Sequence, residues 1–177
     1  MANKKNLKQG LYHPKNEHDS CGVGFIANIH GTKSHRIVQQ GLELLTNLTH
    51  RGATGYDPKL GDGAGLLIQI SDDFFRNETQ IHKIKLPAFG HYGIGMVFLP
   101  QSKTLREKCE VIISKIVEEE GQANLGWREV PVNNKNIANA ARDVEPVIRQ
   151  IIISRNKNCS SQDDFERKLF VIRKRIE

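Results

Sequence analysis

The run C-G-V-G-F-I-A-N-I, from Cys21 to Ile29, alternates Val23, Phe25, Ala27 and Ile29 with smaller or polar residues, a pattern that predicts a β-strand with one buried face. What precedes it is different in kind. Residues 1–20 carry Lys, Asn, His and Pro where a packed element would need regularly placed apolar side chains, so they read as an extended leader that ends at the cysteine. The leader starts with basic residues but has no apolar central segment of the kind a secretory signal needs, so export is not expected.

Downstream of the strand, Gly31 and Thr32 predict a turn and Ser34 an N-cap. The helix that follows has an apolar face of Ile37, Gly41, Leu44 and Leu48, flanked by Val38, Leu42 and Leu45, with Gly52 placed to end it. The stretch R-G-A-T-G-Y-D-P-K-L-G-D-G-A-G, Arg51 to Gly65, is a long glycine-rich loop feeding a second strand, Leu66 to Ile70. Gly93 to Leu99 reads as a strand stopped by Pro100. A helix opened by Ser102 or Thr104 follows, with Leu105, Cys109, Ile112, Ile113, Ile116 and Val117 inward, Thr104 and Glu107 as a capping box, and Gly121 as its stop. Strands are expected at Trp127 to Val132 and Val147 to Ser154, with a short helical piece at Ala138 to Arg142 between them. A last helix from Ser161 places Phe165, Leu169, Ile172 and Ile176 on one side. The chain stops inside that helix, which leads to the expectation that the domain continues.

The 177 residues carry 26 Lys+Arg against 20 Asp+Glu, a net charge of +6, with 38% hydrophobic and 26% charged residues. That balance suits one globular domain with a core and excludes a fully disordered or fibrous chain. No apolar run approaches the roughly 18 to 20 residues that cross a bilayer, so no membrane span is expected. Cys21, Cys109 and Cys159 are odd in number, widely spaced and without a C-x-x-C pair, which argues against a disulfide framework or a cysteine-rich zinc site and for a reducing, cytoplasmic setting. The positive charge is spread along the chain apart from Arg173, Lys174 and Arg175, so a solvated surface is favoured over nucleic-acid binding.

Four places could carry chemistry. Cys21, followed by Gly22, would have room around its sulfur. If the Ser20–Cys21 bond were cut, the new terminus would hold a thiol of pKa about 8.5 and an amine of about 7.7 to 8.0, so one residue would supply both nucleophile and base. Position alone also fits a small buried cysteine at a strand end. Arg51, in T-H-R-G, could anchor a carboxylate or hold a loop through its fixed donors, or could satisfy the last carbonyls of the helix before it. The G-D-G-A-G run, Gly61 to Gly65, leads into a strand rather than a helix and has no G-K-[ST] after it, so it reads as a tight loop and not a phosphate cradle, with Asp62 a turn residue or an orienting group. His13, His18, Cys21, His30 and His35 match no compact ligand spacing, so no metal site is expected; Cys109 falls on a helix face and Cys159 in a polar loop without a visible partner.

The segments C-G-V-G-F-I-A-N-I, L-T-H-R-G-A-T-G-Y-D and G-D-G-A-G-L-L, in this order behind a short leader, closely resemble the start of the large subunits of glutamate synthases. The similarity extends through A-A-R-D-V-E-P-V-I-R-Q and K-L-F-V-I-R-K-R-I-E, nearly the whole chain. The resemblance implies a type 2 glutamine amidotransferase domain of the N-terminal nucleophile hydrolase class. Its fold would be α+β, part of a four-layer αββα sandwich with antiparallel sheets, here cut short. Residues 1–20 would be a leader or propeptide, and residues 21–177 the N-terminal portion of the domain. Cys21 would be the nucleophile that attacks L-glutamine, and Arg51 a positioning residue near it. This segment would need no cofactor or metal, whereas the complete enzyme would carry FMN and an iron–sulfur cluster for reductive amination of 2-oxoglutarate. Partners implied are the remaining domains of the large chain and a small subunit or ferredoxin as electron source. The family's R-F-S-T-N and H-N-G-E motifs, which supply the oxyanion donors and the carboxylate-binding arginine, do not occur in this sequence, so the chain by itself is expected to be inactive. The alternative is a truncated, catalytically inactive relative that acts as a binding or assembly module.

Overall fold

A computed structural model of the chain describes residues 22–48, 59, 63–81, 83–157 and 159–177. They divide into two compact units between Ile68 and Gln69.

In the first unit, residues 22–28 form neither helix nor strand and turn at Ile29–His30, where the Gly31 amide donates to the Asn28 carbonyl and Gly31 takes a φ of 67°. Ser34 is extended and precedes helix α1, His35–Asn47, whose buried residue is Gly41. The helix ends at Asn47, with the Leu48 amide bonded to the carbonyls of Leu44 and Leu45, so Gly52 is not its C-cap; that residue lies outside the described ones.

The two strands expected here do not form. Among the described residues neither residues 22–28 nor Leu66 to Ile70 pair into a ladder, and alternation alone does not make a strand without a hydrogen-bonded partner. The inward face is also reversed. Val23, Phe25 and Ile29 are 93, 91 and 92% exposed, and it is the even positions, Gly22 and Gly24, that pack on α1. Leu66 reaches α1 from the other segment: a Cβ at Gly41 would stand 2.8 Å from its Cδ1.

The second unit is built on an antiparallel sheet of three strands, β1 (Tyr92–Leu99), β2 (Ala123–Glu129) and β3 (Val147–Ser154), in the order β1-β3-β2. Tyr92 faces Ser154, Leu99 faces Val147 and Trp127 faces Ile151. β3 is central and reads as a nearly continuous apolar run because both of its faces are covered along part of its length. β1 and β3 agree with the sequence reading. β2 begins earlier and ends earlier than expected, and a register shift between Asn124 and Gly126, with Gly126 at φ 145°, breaks the alternation that would have located it.

One face of the sheet is covered by α3 (Lys103–Glu119) and α5 (Gln162–Ile176). Val97, Leu99, Ile151 and Ile153 meet Ile113, Val117, Phe165 and Ile172, with Phe165 and Val117 wholly buried. Gly93 is there for space: a Cβ would lie 2.7 Å from Leu169 Cδ1. The other face is covered at one end by α2 (Asp72–Ile81) and the segment after it, with Phe75, Leu86, Tyr92 and Ile152 as the core and Ile84, Ile94 and Leu125 against them. Farther along that face Met96 and Phe98 are exposed. A short helix α4, Asn139–Asp143, precedes β3, as expected.

The helix ends follow local chemistry. α3 stops at Gly121, φ 75°, whose amide bonds to the Glu118 carbonyl. Its N-cap is Ser102 without a side-chain bond, so the capping box read at Thr104 and Glu107 is not made. At α5 the Ser161 hydroxyl accepts from the Asp164 amide at 3.1 Å, and acidic Asp163 and Asp164 occupy the positive end of the helix. The basic cluster at the other end is paired: Arg173 and Lys174 with Glu177, Arg175 with Glu119 and Glu120. Lys168 and Arg175 join α5 to Glu119 and Glu120 at the end of α3, and their hydrogen bonds hold the Glu120 carboxyl below its usual range. The charge that might have drawn nucleic acid is thus largely offset where it is densest.

Phe165→Ala would leave a large void between α3, α5 and the sheet and should lower unfolding free energy by about 3 to 5 kcal/mol, measured by urea titration. Hydrogen bonds from Ser160, then Arg167 and the cap serine, hold the Asp164 carboxyl down at about 2. A depressed carboxyl stabilises the folded form above its unfolded pKa and ceases to do so as pH falls through the folded one. NMR titration should therefore find Asp164 protonating near pH 2, with α5 loosening at its N-terminal end between about pH 4 and 2.

Candidate functional site

Cys21, Arg51, Gly61 and Asp62, on which the chemical reading rests, lie outside the described residues; what is described is the scaffold that flanks them. In that scaffold Gly22 stands against Leu48 and Gly24 against Leu44. A Cβ built on Gly22 would be 2.9 Å from Leu48 Cδ2, and one on Gly24 would be 2.6 Å from Leu44 Cδ1. Two residues of extended chain advance about 6.6 Å, and four residues of helix about 6 Å, so the two steps match. Because the higher-numbered leucine meets the lower-numbered glycine, the chain after Cys21 runs antiparallel to α1. The residue that follows Cys21 and the residue three before Arg51 are therefore packed together at the C-terminal end of α1.

Gly22 thus has a role that its sequence context did not reveal. It reads as room for the sulfur, whereas the space left by its missing side chain is filled by a leucine. The helical spacing of Leu44 and Leu48 and the alternate spacing of Gly22 and Gly24 were each visible, but not which strand face would meet the helix.

Of the other candidates, His30 and His35 are both exposed, while His13 and His18 lie outside the described residues. Among the described residues no three His, Cys, Asp or Glu are grouped as a metal or cluster would require. Cys109 packs against the core, as expected. Cys159 is also buried, contrary to its reading as part of a polar loop: the Gln122 amide donates to its sulfur at 3.3 Å and the Arg155 guanidinium to its carbonyl at 2.8 Å. Ser160 and Ser161 made that segment look solvated, although the residue before them turns inward.

Two buried polar clusters in the second unit escaped sequence reasoning. The Tyr92 hydroxyl donates to Asp72 at 2.7 Å, and Arg76 Nε donates to the other carboxylate oxygen at 2.7 Å. Burial and the Asp72 contact push the phenol well above its ordinary range, so it stays a donor. Arg128, inward on β2, gives Nε to Glu78 at 2.9 Å and Nη1 to the Gln150 amide oxygen at 3.0 Å, and its guanidinium lies 5.4 Å from the Phe74 ring centre. Every group in these clusters is matched to a partner, so they fasten α2 to the sheet rather than await a ligand. The signal was available in Arg128, a charge between Trp127 and Glu129 where the strand turns it toward the core. Of two grooves of about 430 and 500 Å³, one lies beside Phe98 and Val144; in the other, beside Glu110 and Trp127, the Ser114 hydroxyl donates to the Glu110 carbonyl at 2.7 Å and accepts from Asn124 at 2.8 Å, so it is not bonded to a base.

Comparison with known proteins decides the family. The class-II glutamine amidotransferases match residues 21–177, all of the chain from Cys21 onward. This chain belongs to that family. Among curated amidotransferase relatives, it is 49% identical over 169 residues to the protein named glutamate synthase [NADPH] large chain of Bacillus subtilis, covering 96% of this chain and 11% of the relative. It is 42% identical over 161 residues to ferredoxin-dependent glutamate synthase 1 of Arabidopsis thaliana, covering 91% of this chain and 10% of the relative. It is 36% identical over 176 residues to glutamate synthase [NADH] of Saccharomyces cerevisiae, covering 94% of this chain and 8% of the relative. The chain therefore spans about a tenth of the length of these curated relatives. No described helix of this amidotransferase chain is long and apolar enough to cross a membrane.

Glu78→Ala would strand the nearly buried Arg128 with Gln150 as its remaining polar partner. Because Glu78 is partly solvated, the expected loss is about 1 to 3 kcal/mol, and a Glu78→Ala/Arg128→Met pair should regain part of it in denaturant unfolding.

Proposed function

We propose that this chain carries the N-terminal portion of the glutaminase domain of a glutamate synthase large chain, with Cys21 as its nucleophile. The observation that supports the reading is the meeting of Gly22, the residue after Cys21, with Leu48, the residue three before Arg51. The family match that begins at Cys21 supports the same residue as the start of the working domain and residues 1–20 as a leader that is removed. Relatives named for three electron donors, NADPH, ferredoxin and NADH, all share this segment. A shared segment is not what distinguishes those donors, so it fits the glutamine-using step.

In this mechanism the leader is cut between Ser20 and Cys21. The Cys21 sulfur attacks the side-chain carboxamide carbon of L-glutamine while its proton passes to the α-amine of the same residue. That proton moves on to the amide nitrogen as the C–N bond breaks, releasing ammonia and leaving a thioester. Water then adds to the thioester, the C–S bond breaks, and glutamate leaves with the sulfur reprotonated. Arg51 positions the reacting end from the segment after α1. The oxyanion donors implied by the family resemblance come from a part of the domain outside this sequence, and each would be worth about 10²- to 10³-fold in rate. The complete enzyme uses the ammonia to aminate 2-oxoglutarate, with FMN and an iron–sulfur cluster held by its other domains and electrons from a small subunit or ferredoxin, in the cytoplasm. The fold that goes with this reading is the four-layer αββα sandwich. It is supported by α3 and α5 on one face of the β1-β3-β2 sheet and by the exposed apolar residues Met96 and Phe98 on the part of the other face that α2 does not cover.

In the complete protein, Cys21→Ala should abolish glutamine-dependent glutamate formation and leave ammonia-dependent formation intact; loss of both, or of neither, overturns the assignment. Intact mass should show a chain beginning at Cys21, and full activity from a chain still beginning at Met1 would exclude the amine as base. The 177 residues alone should show no glutamine turnover, whereas turnover would mean that they hold their own oxyanion donors.

A further inference from the structure

Once the leader is gone, Cys21 is attached to the rest of the chain only through Gly22, the residue type with the greatest backbone freedom. A nucleophile and base on such a tether need something to hold the tether. Gly22 does not adopt a positive φ, so its backbone conformation is open to any residue, and glycine is required here for space. The space is filled by Leu48, whose Cδ2, Cδ1 and Cβ would lie 2.9, 3.1 and 3.3 Å from a Cβ at Gly22. Leu48 is the C-cap residue of α1, so a methyl added at Gly22 would have to turn the Leu48 methyl groups aside and would still press on its Cβ. The next contact, Gly24 with Leu44, repeats it one helical turn away and fixes the register of the extended chain along α1.

We propose that Leu48 is a positioning residue for Cys21: seated against the bare backbone of Gly22, it fixes the matured terminus relative to the segment that carries Arg51. The inference rests on the glutaminase reading above and adds a residue that takes no part in the chemical steps given there. A side chain at position 22, or a shorter one at position 48, would move the terminus by a fraction of an ångström to an ångström, and displacements of that size cost up to about 100-fold in rate.

A size exchange in the complete protein tests it, with turnover counted per molecule shown by intact mass to begin at Cys21. Gly22→Ala should lower kcat for glutamine by about 10- to 100-fold with KM changed less than about 3-fold, because the substrate pocket is left in place. Leu48→Ala should also lower kcat, and Leu48→Met should hold it near the wild-type value. The pair Gly22→Ala/Leu48→Ala should be at least about 10-fold better than the two single losses multiplied together, since the added methyl occupies the vacated space. Wild-type kcat in Gly22→Ala, or a pair no better than that product, overturns the positioning role. If Gly22→Ala fails to fold, Leu48→Ala with unchanged kcat and an unchanged pH profile of kcat/KM overturns it instead. Cys21→Ala run beside these separates the two levels. Retained glutamine turnover there defeats the glutaminase reading itself, whereas a dead Cys21→Ala with uncoupled size variants defeats only the role of Leu48.

Discussion

The close approach of α1 to a backbone without side chains is the constraint behind the candidate site. Helix and extended chain can sit this near only where Gly22 and Gly24 leave Cβ positions vacant for Leu48 and Leu44. The same device is used once more on the helix itself, where Gly41 admits Leu66. Three glycines thus bring together three pieces of chain that are distant in sequence, and an alanine at any of them would have to displace the leucine side chain that faces it.

The second unit is organised differently, around β3. Paired on both edges and covered on both faces, Ile151, Ile152 and Ile153 are among its most deeply buried residues, and the two cores lie on either side of them. Polar groups placed inward next to these cores are satisfied in pairs: Tyr92 with Asp72, and Arg128 with Glu78 and Gln150. Such pairs add little net stability but fix which face of α2 meets the sheet, because a rotated helix would leave a charge buried without a partner.

How far the sequence was legible depended on how local the deciding contacts are. β3 was read to the residue, and α5 from its cap at Ser161, because an apolar run and an N-cap followed by Asp163 and Asp164 are written in consecutive residues. α2 was missed because its packed face is small, chiefly Phe75 and Thr79, although Ser71 followed by Asp72 and Asp73 was a usable start signal. β2 was displaced by a bulge that alternation cannot anticipate. The segment after Cys21 alternated as a strand does, yet a strand also needs a partner, and alternation does not say where one is. Cys21 and Arg51 stood out through motif order and not through any physical pattern, while the leucines that pack beside their neighbours looked like ordinary core positions.

The exposed row Val23, Phe25 and Ile29, with Leu67 at 98% exposure, has a consequence for synthesis. These residues leave the ribosome before any strand of the sheet that follows. At about 5 to 20 residues per second, roughly 7 to 28 s pass between Val23 and the start of α5. Throughout that interval the nascent chain displays greasy side chains and unpaired amide groups together, the combination that invites holdase chaperones or, failing them, association between neighbouring polysomes.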